Sequence, residues 1–333
     1  MKKYNIAVVG ATGMVGNKFL QVLSERNLPV GEYCLYASAK SAGRKINFMG
    51  EELAVLELKR ENITGKRFDF ALFSAGAAVS RDFAPVFADA GAVVIDNSSC
   101  FRMNKDVPLV VPEVNPEDTL WNKGIIANPN CSTIQAVVAL KPLDDKYKIK
   151  RIVYSTYQSV SGAGMGGYTD LIEGAKGVPP KKFPHPIFNN IIPHIDSFLE
   201  NGYTKEEAKM INETRKILHN DALKITATTV RVPVPFGHGE SVNVEFYKPC
   251  TLDGIREAIA AQNGAVLLDD PANGVYPMPY LCEDKDEVFV GRIRLDESVE
   301  SGCNLFIVAD NIRKGAATNA VQIAEYMIKN NVL

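Results

Sequence analysis

Residues 4–16 read YNIAVVGATGMVG, Tyr4 to Gly16. The first six residues are rich in Ile and Val and stop at a glycine, the pattern of a short buried strand. An amphipathic stretch from Met14 to Arg26 predicts a helix. Gly10, Gly13 and Gly16 lie between and inside them, spaced G-x-x-G-x-x-G rather than G-x-G-x-x-G. Glycine here permits a tight strand-to-helix turn. It also lets main-chain N–H groups approach a diphosphate, with the positive end of a helix behind them. Gly10, Thr12, Gly13, Met14 and Val15 are therefore candidate cofactor contacts.

The next strand, Glu32–Ala37, sharpens this reading. NAD-binding proteins usually carry an acidic residue about 20 positions past the glycines, where it meets the ribose 2′-hydroxyl. Residues 37–45 read ASAKSAGRK, with no Asp or Glu. Ser38, Lys40, Ser41 and Arg44 offer hydroxyls and cations, which suit a 2′-phosphate. NADP(H) is expected over NAD.

Further along, Phe68–Phe73, Ala92–Ile95, Leu109–Val111 and Ile125–Ile126 read as buried strands, with helical stretches such as Ser80–Ala90 between them. That alternation predicts a parallel, doubly wound, Rossmann-like α/β sheet. The character changes after about residue 142. Arg151–Ser159, Ile225–Pro235, Ser241–Phe246, Glu287–Leu295 and Leu305–Ala309 predict longer, more antiparallel strands. Ser161–Gly167 reads as a glycine-rich loop, Gly177–Pro193 as a proline-rich surface loop, Thr204–His219 as a charged helix and Gly315–Asn330 as a long terminal helix. The second half is thus expected to be α+β with a mixed sheet.

The chain has 333 residues, 46% apolar and 23% charged. At about 150 residues per domain this suggests two domains. The net charge is −2, from 37 basic and 39 acidic residues, so no cationic surplus exists to hold nucleic acid. Lys2 and Lys3 precede an apolar run that Gly10 ends too soon for a signal peptide, and no run of about 18 apolar residues exists. No membrane partner is expected. The six cysteines are Cys34, Cys100, Cys131, Cys250, Cys282 and Cys303, without a C-x-x-C pair. No metal is expected, and scattered reduced thiols suit a cytoplasmic enzyme.

One thiol stands out. Asn128-Pro129-Asn130-Cys131-Ser132-Thr133 precedes an apolar helix, Ile134–Leu140. A thiol at a helix N-terminus faces the positive end of the dipole, which favours the thiolate. Beside a dinucleotide domain, such a thiol suggests aldehyde chemistry through a thioester.

The chain resembles the aspartate-β-semialdehyde dehydrogenase family along essentially its whole length. The likeness includes GATGMVG at 10–16, ASAKSAGRK at 37–45, DNSSCFR at 96–102, NPNCST at 128–133, QSVSGAG at 158–164, RVPVPFGHGE at 231–240 and DNIRKGAATNA at 310–320. NPNCST together with RVPVPFGHGE is a specific pair.

The resemblance implies NADP-dependent reductive dephosphorylation of L-4-aspartyl phosphate to aspartate semialdehyde through a thioacyl enzyme. That step would stand on the route to lysine, diaminopimelate, threonine, methionine and isoleucine. Cys131 would be the nucleophile. His238 would be the acid/base group. It is one of only four histidines, the others being His185, His194 and His219, and it sits in a glycine-flanked turn. Arg231 would grip the substrate carboxylate and Gln158 would orient the substrate. Arg102 and Lys209 would bind phosphate, and Glu206 would meet the substrate amino group. Glu213 and Lys216 share the spacing of Glu206 and Lys209 and are a rival pair.

Ser161, Gly162 and Asn319 would contact the cofactor. The terminal helix would then rejoin the first domain, giving a discontinuous cofactor domain at 1–131 and 312–333 around a catalytic and dimerisation domain at 132–311. The family works as a homodimer or homotetramer. Cys100 stands where a small residue is expected; the two readings are a second reactive thiol near the phosphate site and, favoured here, a small buried residue without a chemical role. The alternatives are N-acetyl-glutamyl-phosphate reductase, which shares the architecture and the Cys/His pair, and an inactive homologue acting as a binding protein. A glyceraldehyde-phosphate dehydrogenase would need the acidic residue that the second strand lacks.

Overall fold

In a computed structural model that describes residues 2–332, the chain divides into two compact units. One comprises the residues up to Asn130 and from Ala316 onward, the other Cys131–Gly315.

The first unit is doubly wound. Its elements are β1 (Tyr4–Val9), α1 (Met14–Arg26), β2 (Val30–Ala37), β3 (Lys45–Phe48), β4 (Glu51–Glu57), α2 (Arg60–Ile63), β5 (Phe70–Phe73), α3 (Ala77–Asp89), β6 (Val93–Asp96), β7 (Ile125–Ala127) and the terminal helix Asn319–Lys329. The strands form one sheet in the order β3-β4-β2-β1-β5-β6-β7. All neighbours run parallel except the β3–β4 hairpin. The sheet is buried on both faces, so its central strands are near-continuous apolar runs. Ile6, Val8, Phe70, Leu72 and Ile95 pack with α1 and the terminal helix, through Phe19, Leu23, Val321 and Ile323. Ala7, Val9, Tyr36, Phe73 and Val94 pack on the opposite face with Phe87 of α3.

The second unit contains α4 (Cys131–Tyr147), β8 (Ile149–Gln158), α5 (Gly164–Gly174), α6 (Lys205–Ile217), β9 (Lys224–Arg231), β10 (His238–Phe246), α7 (Leu252–Ala260), β11 (Ala265–Leu267), α8 (Pro279–Cys282), β12 (Val288–Leu295) and β13 (Gly302–Ala309). Its sheet has the order β11-β12-β13-β10-β8-β9 and is mixed: β8/β9 and β11/β12 are parallel, the other pairs antiparallel. α6 starts on a capping box in which Thr204 accepts from the Glu207 N–H and Glu207 accepts from the Thr204 N–H. Its buried residues, Glu206, Glu207, Met210, Glu213, Thr214 and Ile217, recur at helical spacing.

Several expectations are corrected. Leu109–Val111 is not a strand and makes only an isolated bridge, Leu109 to Ala127. Ser161–Gly167 is not an open loop: a 3₁₀ turn over Val160–Ala163 runs into α5, which starts at Gly164. His238 does not sit in a turn but opens β10. The β3–β4 hairpin, α7 and β11 had no clear signature in the sequence. The helix after Asn130 begins at Cys131 itself, and the terminal helix is preceded by a π-helical stretch, Arg313–Thr318.

Candidate active site

In the first unit, the glycine turn has the shape of a phosphate cradle. Gly10 has φ +88°, and a Cβ there would lie 2.3 Å from the Ser74 carbonyl oxygen. A Cβ on Gly16 would lie 2.0 Å from the Gly10 carbonyl oxygen, so α1 can approach β1 this closely only without side chains. No side chain caps α1 and no acidic residue lies in its first turn. Its amide donors and dipole therefore suit an anion. Thr12, Met14 and Val15 are partly exposed around the turn. Ser38, Lys40 and Arg44 are exposed just past β2, with Ser41 half-buried beside them. One carboxylate not noticed in the sequence lies near by register: Glu57 closes β4 opposite Ala37, 3.6 Å from the Lys59 ammonium.

Other residues of this unit are tied down by their own chain. Arg102 is buried and donates from Nε to the Asn128 carbonyl (2.9 Å) and from Nη2 to the Asn97 carbonyl (2.8 Å). Asn319 is buried and donates to the Val110 carbonyl (2.9 Å) and to Asn128 Oδ1 (2.7 Å). Cys100 is half-buried, and desolvation pushes its thiol up from the ordinary value, which leaves it less nucleophilic.

In the second unit, β-sheet register assembles the site. Gln158 on β8 pairs with Arg231 on β9, and Tyr157 pairs with Gly239 on β10. The register therefore sets Arg231, Gln158 and His238 side by side across three strands, pointing to one face. α6 meets this row. Gln158 Nε2 donates to Glu206 Oε1 (3.1 Å), and Glu206 Oε2 pairs with Lys209 Nζ (3.0 Å), which also meets Asp196 (2.8 Å). The carboxylate that reaches Gln158 is Glu206 rather than Glu213. Burial lowers the Lys209 pKa, but Glu206 and Asp196 outweigh it and hold the group above its ordinary value, so it stays cationic.

Cys131 is the first residue of α4, at the positive end of that helix. One turn later, Gln135 Nε2 donates to the His238 main-chain carbonyl (3.2 Å), tying the start of α4 to the start of β10. A thiolate at Cys131 would favour the charged form of Arg231. Gly315 comes so close that a Cβ on it would lie 2.8 Å from Cys131 Cβ.

His238 is fully buried. Its Nδ1 lies 3.0 Å from both the Ser159 main-chain N–H and the Ser159 hydroxyl, while Nε2 has no hydrogen-bond partner among the described residues. Burial pushes the imidazole down to about 3, and the Arg231 cation pushes the same way; Glu206 and the Gly237 main chain favour the cation but lose. The ring is therefore neutral at neutral pH. Arg231, also buried, donates from Nη1 to the Ser159 carbonyl (2.6 Å) and lies over the Phe183 ring. Gly162 lies against both groups: a Cβ there would sit 2.8 Å from Arg231 Nη1 and 3.3 Å from His238 Cε1. Ser161 is buried, with its hydroxyl engaged by Asn311.

The unit thus presents a helix-end thiol, a neutral imidazole, a buried guanidinium and a carboxylate–lysine pair on connected elements. That set can form and resolve an acyl thioester of an anionic, amine-bearing substrate. Sequence reading had assigned no role to Ser159, Asn311, Gln135 or Asp196. Ser159 and Asn311 lie inside the quoted QSVSGAG and DNIRKGAATNA stretches, but nothing local marks either side chain. Among the described residues no cluster of His, Cys, Asp and Glu could hold a metal ion, and no helix is long and apolar enough to cross a membrane.

Comparison with known proteins gives one consistent result. Residues 5–121 match the family model for the semialdehyde dehydrogenase NAD-binding domain, and residues 140–314 that for the semialdehyde dehydrogenase dimerisation domain. Aspartate-semialdehyde dehydrogenase from Aquifex aeolicus is 55% identical, with 99% of each chain covered. The crystal structure of aspartate semialdehyde dehydrogenase II from Vibrio cholerae complexed with ASA is 46% identical, with TM-score 0.95 and 99% of each chain covered. The Candida albicans aspartate semialdehyde dehydrogenase with NADP is 27% identical, with TM-score 0.80 and 100% of each chain covered.

Proposed function

The chain belongs to the aspartate-semialdehyde dehydrogenase family, and from that premise we propose that it interconverts L-aspartate 4-semialdehyde and L-4-aspartyl phosphate with NADP(H) and inorganic phosphate. The reductive direction serves synthesis of lysine, diaminopimelate, threonine, methionine and isoleucine. The observation that carries this reading is the Arg231–Gln158–His238 row with Glu206 joined to it. It offers a cation for the substrate carboxylate and an anion for its ammonium, the two charges of an amino acid.

Cys131 is the nucleophile. As thiolate it adds to the aldehyde carbon to give a thiohemiacetal; loss of hydride leaves a thioester. A phosphate oxygen then attacks the acyl carbon, the S–C bond breaks, and aspartyl phosphate leaves with the thiolate restored. A bound nicotinamide dinucleotide supplies hydride in one direction and accepts it in the other. Arg231 holds the α-carboxylate through its planar fork, Glu206 meets the α-ammonium, and Gln158 orients the acyl group. His238 is the acid/base group, with Nε2 toward the reacting oxygen. Lys209 and, in the first unit, Arg102 serve phosphate.

Gly10, Thr12, Gly13, Met14 and Val15 take the diphosphate, with Ser161, Gly162 and Asn319 as further cofactor contacts. Ser38, Lys40, Ser41 and Arg44 favour the 2′-phosphate of NADP. The Candida albicans relative with NADP supports that choice. The chain works as a homodimer or homotetramer; the dimerisation-domain match supports self-association. The cofactor domain comprises residues 1–131 and 312–333 and the catalytic domain residues 132–311, close to the division of the two compact units at 130/131 and 315/316, and the enzyme works in the cytoplasm.

Phosphate-dependent reduction of NADP⁺ by aspartate semialdehyde tests the reading. Robust activity with N-acetyl-glutamate semialdehyde and none with aspartate semialdehyde would overturn the substrate. A lower KM for NAD⁺ than for NADP⁺ would overturn the cofactor preference.

A further inference from the structure

Gln158 stands between Arg231 and His238 in the row across the sheet, and its amide is held by a side chain that the mechanism above does not use. β8 alternates between its two faces, so Thr156 and Gln158 share one face, and both are buried. Thr156 Oγ1 donates to Gln158 Oε1 at 3.0 Å, and Gln158 Nε2 donates to Glu206 Oε1 at 3.1 Å. Glu206 fixes the direction of both bonds. Its other oxygen pairs with the Lys209 ammonium (3.0 Å), so it stands as a carboxylate, which can only accept. An amide oxygen turned toward it would meet oxygen with no proton between them. The NH₂ end of the amide therefore faces Glu206, the oxygen faces Thr156, and the hydroxyl proton goes to Gln158.

The neighbours of Thr156 leave this bond undisturbed. Glu240 on β10 and Thr229 on β9 flank it in register. Neither Glu240 oxygen and not Thr229 Oγ1 has a hydrogen-bond partner among the described residues, so neither takes the Thr156 proton. Two heavy atoms on the threonine Cβ restrict χ1 and hold the hydroxyl in place. The far end of the chain is fixed separately. Tyr154 Oη lies 3.2 Å from Thr214 Oγ1, and the Thr229 N–H donates to Glu207 Oε1 at 3.0 Å, which ties α6 to the sheet at two further points. Glu206 should therefore keep its place when the Thr156 hydroxyl is removed.

We infer that Thr156 is a positioning residue for the reaction: its hydroxyl holds Gln158 Oε1, so that what Gln158 offers the acyl group is the second N–H of Nε2. The inference rests on the site reading above and deepens it. Nε2 carries two N–H groups, and Glu206 takes one. The other makes no hydrogen bond to a described residue. It donates to the acyl oxygen, which gains charge when hydride or thiolate adds to the carbon; an amide oxygen in its place would repel that charge. Thr156 touches no reacting atom.

Two measurements test this, the first without substrate. In the whole enzyme, with glutamine ¹⁵N-labelled at the side-chain amide, the NH₂ signals missing in Gln158→Ala are those of Gln158. Thr156→Val keeps the shape of the parent and lacks the hydroxyl. It should shift these signals and speed their exchange with water, whereas Thr156→Ser should keep them close to the parent's. In steady state, Thr156→Val should lower kcat by roughly 5- to 100-fold, the effect of leaving one buried amide oxygen unpartnered, with the KM for aspartate semialdehyde changed less than about threefold. Thr156→Ser should recover most of that loss. In a Gln158→Ala background, Thr156→Val should cost less than about twofold further, because the group it positions is gone. Parental Gln158 signals in Thr156→Val overturn the inference, whatever the substrate. So does a parental kcat in Thr156→Val, a loss that Thr156→Ser does not reduce, or a loss that persists undiminished in Gln158→Ala. A parent enzyme inactive on aspartate semialdehyde would overturn the assigned reaction instead, and the amide signals would still decide the role of Thr156.

Discussion

Glu240 lies one sheet row behind the site, and its replacement by glutamine should change how stability depends on pH. It sits on β10 opposite Thr156 of β8, which in turn faces Thr229 of β9. All three side chains are buried, and neither Glu240 carboxyl oxygen has a hydrogen-bond partner among the described residues. Burial first, and the nearby Glu206 charge second, push its pKa well above the ordinary carboxylate value. Glu206 has Lys209 and Gln158 as partners, whereas burial without a hydrogen-bond partner among the described residues favours the protonated form of Glu240.

A raised carboxyl pKa binds a proton in the folded state that the unfolded chain, titrating near 4.3, has already released. Stability therefore falls as pH rises above that value, by up to about 1.4 kcal/mol per pH unit while Glu240 stays protonated. From pH 5 to 8 the ceiling is about 4 kcal/mol. His238 works the other way. Its folded pKa, pushed down to about 3, makes stability rise with pH until the unfolded imidazole has lost its proton near 6.5. The two slopes oppose between roughly pH 4.3 and 6.5, and above that window only Glu240 of the two still contributes.

Glu240→Gln keeps the shape and removes the titration. Urea-unfolding midpoints should be measured for both proteins from about pH 5 to 8.5 at one fixed enzyme concentration, because association also shifts stability. The parent should lose stability above about pH 6.5 where the variant stays level, so that the variant is the more stable at pH 8. Parallel curves would refute the argument, since they would mean that Glu240 is ionised in the folded enzyme.

Three further outcomes follow from the site. Cys131→Ser should cost several orders of magnitude in kcat, whereas Cys100→Ala should leave steady-state rates near those of the parent; the reverse would displace the nucleophile from α4. Arg231→Lys loses the planar fork and should raise the KM for the semialdehyde about tenfold, an effect on the order of 1.4 kcal/mol, with kcat less affected; an unchanged KM would remove its carboxylate role. Gly162→Ala sets a methyl 2.8 Å from Arg231 Nη1. Overpacking of about 1–3 kcal/mol there should lower kcat/KM for the semialdehyde by roughly ten- to a hundredfold, and normal kinetics would show that the guanidinium moves aside without consequence.

Much of the fold was legible in the residues. A short apolar strand, three glycines and an amphipathic helix determine a dinucleotide-type turn, because only glycine tolerates φ +88° beneath the Ser74 carbonyl. Continuous apolar runs marked the strands of the first unit, since both faces of a parallel sheet are buried. Cys131 was legible from its place before a helix, and the missing acidic residue after β2 from composition alone. The glycine-rich 161–167 stretch misled, because glycine signals turns and yet Gly164 starts α5, whose packing outweighs propensity.

Tertiary structure decided the partners. That Glu206 rather than Glu213 meets Gln158 depends on how α6 lies on the sheet, and both share the same spacing along the helix. The alignment of Arg231, Gln158 and His238 and the buried Glu240 both arise from register between strands far apart in the chain. Local sequence carries the period of a strand and the ends of a helix. Which residue stands opposite which is set by long-range pairing, and here that pairing decides where protons and charges reside.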